Sequence, residues 1–139
     1  MTTFVLDNSV TAAWCFADQS TPYTDAVLQA LIEGAEAFVP VIWRLEVANA
    51  LVVAERRKKI STEASTQFLR DLQQFNITVD TDGMSQVFGA VIEHARAQQR
   101  SAYDASYLEL AKRLDLPFAT KDDPLKKATE ALGIPILQL

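Results

Sequence analysis

Thr3-Phe4-Val5-Leu6-Asp7-Asn8-Ser9 begins as an unbroken apolar run and turns polar within a single residue. A short run without alternation is the pattern of a strand covered on both faces, the environment of a parallel sheet. An acid placed directly after such a strand stands at its carboxyl end, where open α/β sheets bind their ligands. Ala37–Val39 and Ile77–Val79 are further continuous or nearly continuous apolar runs, and Pro117–Ala119 and Pro135–Leu137 complete a set of strand candidates.

Between these runs lie amphipathic segments: Tyr23–Glu33, Val41–Lys58, Thr62–Gln74, Met84–Gln98, Ala102–Leu114 and Pro124–Leu132. In Thr62–Gln74, Ala64, Phe68, Leu69 and Leu72 fall on one helical face. Ser61 is placed to N-cap the helix before Glu63, Gly34 to close another, and Gly133-Ile134-Pro135 to stop the last. Ser9 is placed to cap the helix after the first strand. Strand candidates alternating with helical patterns predict βαβ units and an α/β fold. No linker, repeat or low-complexity tract divides the chain, so one domain over residues 1–139 is expected.

The chain has 139 residues with 49% hydrophobic content, enough for one domain with a real core. No apolar stretch approaches a membrane span, and the start lacks the basic region of a signal peptide, so a cytoplasmic protein is expected. The single cysteine, Cys15, lies in the apolar context Trp14-Cys15-Phe16 and reads as a small core residue. His94 is the only histidine, which leaves a zinc site without its ligands. A net charge of −5 argues against a general nucleic-acid binder, although bound cations would cancel acids gathered in one site. The compact run Arg56-Arg57-Lys58-Lys59 admits two readings: a solvated helix C-terminus, or a contact to a phosphate backbone.

Four acids, Asp7, Glu46, Asp104 and Asp122, fall where a chain of this pattern passes one edge of the sheet. Asp7 follows the first strand, with the capping role left to Ser9. Glu46 sits inside an otherwise apolar stretch with Asn49 at i+3, on the same helical face. Its alternative is a surface pairing with Asn49 or Arg44. Asp104 ends Ser101-Ala102-Tyr103-Asp104, which also fits a capping box. Asp123 precedes Pro124 and reads as the N-cap of the last helix, leaving Asp122 free, two residues after Thr120. Gathered carboxylates repel one another unless something positive sits among them, and oxygen-only ligands suit Mg²⁺ or Mn²⁺. A metal-dependent phosphoryl-transfer site is the expectation.

Val5-Leu6-Asp7-Asn8-Ser9, Pro40 through Glu46 to Asn49, Tyr103-Asp104-Ala105-Ser106-Tyr107-Leu108-Glu109-Leu110-Ala111, and Ala119-Thr120-Lys121-Asp122-Asp123-Pro124-Leu125 together resemble the PIN-domain family, and within it the VapC-type toxins of toxin–antitoxin pairs. The resemblance spans essentially the whole chain. It implies a three-layer α/β sandwich with a parallel sheet of about five strands in the order 3-2-1-4-5, and a Mg²⁺- or Mn²⁺-dependent endoribonuclease. It matches Asp7, Glu46, Asp104 and Asp122 to the family's four acids, and Ser9, Asn49 and Thr120 to supporting polar positions. Asp7 and Asp104 are the expected direct metal ligands; Glu46 and Asp122 are expected to bind a second ion or to act through water. An RNA substrate, a cognate antitoxin and a homodimer are implied as partners.

Asp7-Asn8-Ser9-Val10-Thr11 also resembles the Asp-x-Asp-x-Thr motif of haloacid-dehalogenase-like phosphatases, with Ser9 in place of the second acid. A non-catalytic α/β binding module, its acids serving as caps and turns, is the remaining alternative.

Overall fold

Phe4, Val5 and Leu6 have no exposed surface on any of three consecutive residues, so the strand that carries them is covered on both faces. The computed structural model describes residues 2–139. Strand β1 (Thr3–Leu6) runs parallel to β2 (Glu36–Pro40) on one side and to β4 (Phe118–Ala119) on the other, and β2 pairs in parallel with β3 (Ile77–Asp80). The four-stranded order is β3-β2-β1-β4.

Every parallel crossover needs a helical connection. Helices α1 (Asn8–Cys15) and α2 (Pro22–Ile32), separated by a 3₁₀ turn at Ala17–Gln19, link β1 to β2; α3 (Ile42–Arg56) and α4 (Thr62–Leu72) link β2 to β3. Helices α5 (Ile92–Gln98) and α6 (Ala102–Leu114) carry the chain back across the sheet to β4, and α7 (Asp123–Leu132) follows. Because connections of one hand reverse face when the sheet order reverses, the two groups of helices flank the sheet on opposite sides. The expected α/β sandwich is the fold observed.

The fifth strand differs from expectation. Pro135–Leu137 forms only an isolated parallel bridge, Ile136 beside Phe118, through Phe118 N–H to Pro135 O at 2.9 Å and Leu137 N–H to Phe118 O at 2.9 Å. The partner strand is itself two residues long, and neither Pro117 nor Pro135 has an N–H to extend the ladder.

Helix boundaries follow local chemistry. Ser61 Oγ accepts from Ala64 N at 3.1 Å at the start of α4, and Gly34 and Gly133 take positive φ after α2 and α7. The helix expected over Met84–Gln98 is regular only from Ile92: Asp82–Gln86 is 3₁₀ and Val87–Val91 is π-helical. Gly83 explains the start of this irregularity. Its amide donates to Asp80 Oδ2 at 2.9 Å, and a Cβ there would lie 3.1 Å from that oxygen and 3.3 Å from Arg113 and Glu109. Arg113 bridges Asp80 at 2.6 Å and Glu109 at 2.7 Å, tying the end of β3 to α6.

Candidate active site

The sheet changes direction between β1 and β4, and at such a switch point the strand ends part and leave a crevice. Asp7 follows β1 and Thr120 follows β4, held side by side by Asp7 N–H to Ala119 O at 3.0 Å. Asp7 is 6% exposed. Its Oδ2 accepts from Ser9 Oγ at 2.6 Å and from Thr120 Oγ1 at 2.7 Å. Those hydroxyls accept in turn, Ser9 Oγ from Lys121 N at 3.1 Å and Thr120 Oγ1 from Asp122 N at 3.1 Å. Both of these expected supporting residues thus hold the Asp7 carboxylate. Ser9 is not a helix cap: Asp7 occupies the N-cap position of α1 without a capping side-chain bond, and Ser9 lies inside the first turn.

Glu46 lies in the second turn of α3, half-buried, and Oε1 accepts from Tyr107 Oη at 2.6 Å. Its partner is thus neither Asn49 nor Arg44. Asn49 is exposed on α3 and lines a surface groove with Ala12 and Gln19; among the described residues it makes no hydrogen bond to the carboxylates. Asp104 lies in the first turn of α6. Ser101 Oγ caps that helix by accepting from Asp104 N at 3.0 Å, and the Asp104 carboxylate receives no hydrogen bond among the described residues. The capping box is therefore half present, and its acid is free.

At the last helix the expected assignment is reversed. Asp122 is the N-cap of α7, accepting from Leu125 N at 3.0 Å through Oδ1, while Asp123 is the exposed first helical residue. Pro124 fits the second helical position as well as the first, because neither amide has an intrahelical partner. Asp122 keeps its other oxygen, so capping leaves one donor atom of this carboxylate unspent.

Electrostatics bind the four into one group. Burial raises the Asp7 pKa above its ordinary 3.8; the Ser9 and Thr120 hydroxyls oppose this, and Asp104 and Asp122 add to it. Burial also raises Glu46, with Tyr107 opposing and the charges of Asp7 and Asp104 reinforcing. Asp104 is raised by burial and by Asp122, against a smaller pull from Arg100. Ion pairs among the described residues involve Arg113 and Lys126, and none reaches these four acids. Among the described residues no group of three or more stands close enough to close on one ion as placed. The donor set fits a hard cation that keeps several of its waters better than one enclosed by protein ligands.

A family model for the PIN domain matches residues 4–131. The chain belongs to the PIN domain family. Solved structures share this PIN fold at low identity. PAE2754 of Pyrobaculum aerophilum superposes with a TM-score of 0.67 at 18% identity, covering 91% of this chain and 84% of its own. VapBC2 of Rickettsia felis, bound to a DNA fragment from its promoter, gives 0.66 at 11%, covering 98% and 97%. FitAcB of Neisseria gonorrhoeae gives 0.65 at 17%, covering 97% and 96%. No curated protein matches the chain significantly.

Tyr107 was not singled out from sequence. It is fully buried, its ring packs against Phe118 with centroids 5.9 Å apart, and its hydroxyl is the donor that holds Glu46. A signal was present: Tyr107 stands at i+3 from Asp104, on the same side of the helix, and a buried tyrosine hydroxyl needs a partner.

Proposed function

We propose that this PIN domain is a Mg²⁺- or Mn²⁺-dependent endoribonuclease, the toxin of a type II toxin–antitoxin pair. One observation carries the reading. Asp7 is a buried carboxylate at the sheet's switch point, with one oxygen fixed by two hydroxyls, no cation paired to it among the described residues, and two further acids, Asp104 and Asp122, close enough to raise its pKa. PIN domains are nucleases, which agrees with that donor set.

Asp7 and Asp104 are the residues to hold a divalent cation directly, with Glu46 and Asp122 binding a second ion or acting through water. When bound, such a cation would supply Lewis acidity, lowering the pKa of water, polarising the phosphate and offsetting the charge of an in-line displacement. Ser9 and Thr120 fix the orientation of Asp7, Tyr107 that of Glu46, and the Leu125 amide that of Asp122. The expected products carry a 5′-phosphate and a 3′-hydroxyl.

A protein partner, whether an antitoxin or a second copy, is supported by an apolar face beside the acids. Leu45, Met84 and Tyr103, each more than 60% exposed, line a cavity of about 320 Å³, and Phe88 next to it is 94% exposed. No helix of the described residues is long and apolar enough to cross a membrane, in keeping with the proposed cytoplasmic location.

Incubating the protein with total RNA and Mg²⁺, beside Asp7→Asn and a chelator control, tests the function. Cleavage by the wild type alone, abolished by the chelator, is expected. Equal RNA loss with wild type and Asp7→Asn, both folded, would overturn it.

A further inference from the structure

The basic run at the end of α3 is divided by the fold. Arg56, Arg57, Lys58 and Lys59 are all exposed, and none is in an ion pair among the described residues. Only Arg57 and Lys59 line the groove of about 340 Å³ between α3 and the chain from α1 through the 3₁₀ turn. Lys58 lines only a different surface, with Glu55, Ile60 and Thr62, which Lys59 borders as well.

None of the four acids lines this groove, but Asn49 at its near end stands one turn from Glu46 on α3. Its α3 wall is the stripe Asn49, Ala50, Val53, Ala54 and Arg57, the continuation of the helical face on which Glu46 stands one turn earlier. From Glu46 to Arg57 the helix rises about 16 Å, the reach of a few nucleotides. The opposite wall includes Ala12, Phe16, Asp18 and Gln19. Gln19 is itself tied to the site, because its carbonyl accepts from Lys121 Nζ at 2.6 Å, and Lys121 precedes Asp122. The floor is thus apolar where bases can lie against it. Its polar amides, Asn49 and Gln19, are near the acids, and its cations are at the far end. Asp18 is the one acid among its walls.

Resting on the nuclease reading above, we propose that this groove is the track of the RNA strand on one side of the scissile phosphate, with Arg57 and Lys59 gripping backbone phosphates a few nucleotides away. Two cations, unpaired among the described residues, complement a polyanion in an acidic chain, and the groove's α3 wall continues the helical face that carries Glu46. The competing account, a solvated helix end whose cations merely favour the α3 dipole, treats all four basic residues alike.

That difference is the test. Arg57→Gln/Lys59→Gln is compared with Arg56→Gln/Lys58→Gln, which removes the same charge from the same helix end outside the groove. Binding of a fluorescent single-stranded oligoribonucleotide is followed by anisotropy against salt, and cleavage of the same strand with Mg²⁺ by initial rates. The groove variant is expected to raise KM about tenfold with kcat unchanged, and to flatten the slope of log affinity against log salt by about 1.4, the amount for two single-strand phosphate contacts. The control pair leaves both readouts near wild type. Equal effects of the two pairs, or a groove variant with unchanged affinity and slope, overturn the proposal; the latter would assign the groove to a protein partner. Failure of the wild type to cleave any RNA would instead sink the nuclease reading, and the binding arm still decides whether the groove takes a single strand.

Discussion

Replacing Tyr107 by Phe removes one oxygen from the interior and leaves the ring against Phe118. That oxygen donates to Glu46 at 2.6 Å, and the Asn8 backbone amide faces it from the other side. A hydrogen bond to a charged group contributes about 1.5–3 kcal/mol, so a loss near 2 kcal/mol is expected. In a chain of 139 residues that lowers Tm by about 8 °C. The kinetic consequence is more telling. Burial raises the Glu46 pKa, the Tyr107 bond opposes it, and the charges of Asp7 and Asp104 reinforce it. Without the hydroxyl the pKa climbs further, so a reaction that needs Glu46 ionised loses rate at neutral pH and regains it at higher pH. If the whole 2 kcal/mol is realised in the transition state, kcat falls about thirtyfold. The assay is the initial rate of Mg²⁺-dependent RNA cleavage from acidic to alkaline pH, beside thermal unfolding of the same samples. A lower Tm with an acidic limb that stays in place would refute the reasoning and leave Tyr107 a core residue only.

Asp7→Asn should keep the fold, with a metal-free Tm no lower than wild type, while cleavage falls at least about a hundredfold; circular dichroism and RNA gels read the two effects. Asp104→Asn should raise the metal-free Tm by relieving crowding around Asp7, Glu46 and Asp122, and an unchanged or lower Tm would count against it. Folded-state pKa values raised above 3.8 for Asp7 and Asp104 and 4.5 for Glu46 contribute stability that is full below those ordinary values and lost as pH rises through the raised ones. A Tm titration upward from acid should therefore decline more steeply in wild type than in Asp104→Asn, and Mg²⁺ at a hundred times its Kd should restore about 2.7 kcal/mol. Asp122→Asn keeps an N-cap acceptor and should cost little stability, whereas Asp122→Ala should cost about 1 kcal/mol; both should slow cleavage if the free oxygen serves the site.

What could be read from residues alone was whatever depends on period and punctuation. The unbroken run Phe4–Leu6 announced a doubly covered strand, and Ser61 and Gly133 marked helix ends where local chemistry decides them. The misreadings arose where two neighbouring residues were equally suited and only the tertiary fold could choose. Asp122 and Asp123 can both cap α7, and the choice follows from Thr120, whose hydroxyl accepts the Asp122 amide while donating to Asp7. Ser9 can cap α1, but its hydroxyl is claimed by Asp7 and by the Lys121 amide across 112 residues of sequence. Tyr107 went unassigned because its partner lies 61 residues away. The irregular turns after Asp80 depend on the close approach of Gly83 to the Arg113 bridge, which no helical period records.

The donors around the acids are unevenly shared, and the unevenness argues for a site rather than an accident of caps. If the four carboxylates served only to end helices and fill turns, each should meet the amides of its own helix terminus, as Asp122 does. Asp7 instead stands at the cap position of α1 and caps nothing; its two donors come from Ser9 and from a different strand end. Glu46 takes its donor from α6, and Asp104 has none among the described residues. Each bond from a neighbouring element fixes a carboxylate without supplying a positive charge, which keeps the anions in place while leaving their charge uncancelled. Under the proposed function, such an arrangement would cost stability in the metal-free chain and return it on binding a cation. Asp104, whose carboxylate no hydrogen bond holds among the described residues, is then the residue whose side chain should move most between the two states, and its chemical shift during a Mg²⁺ titration is the place to see it.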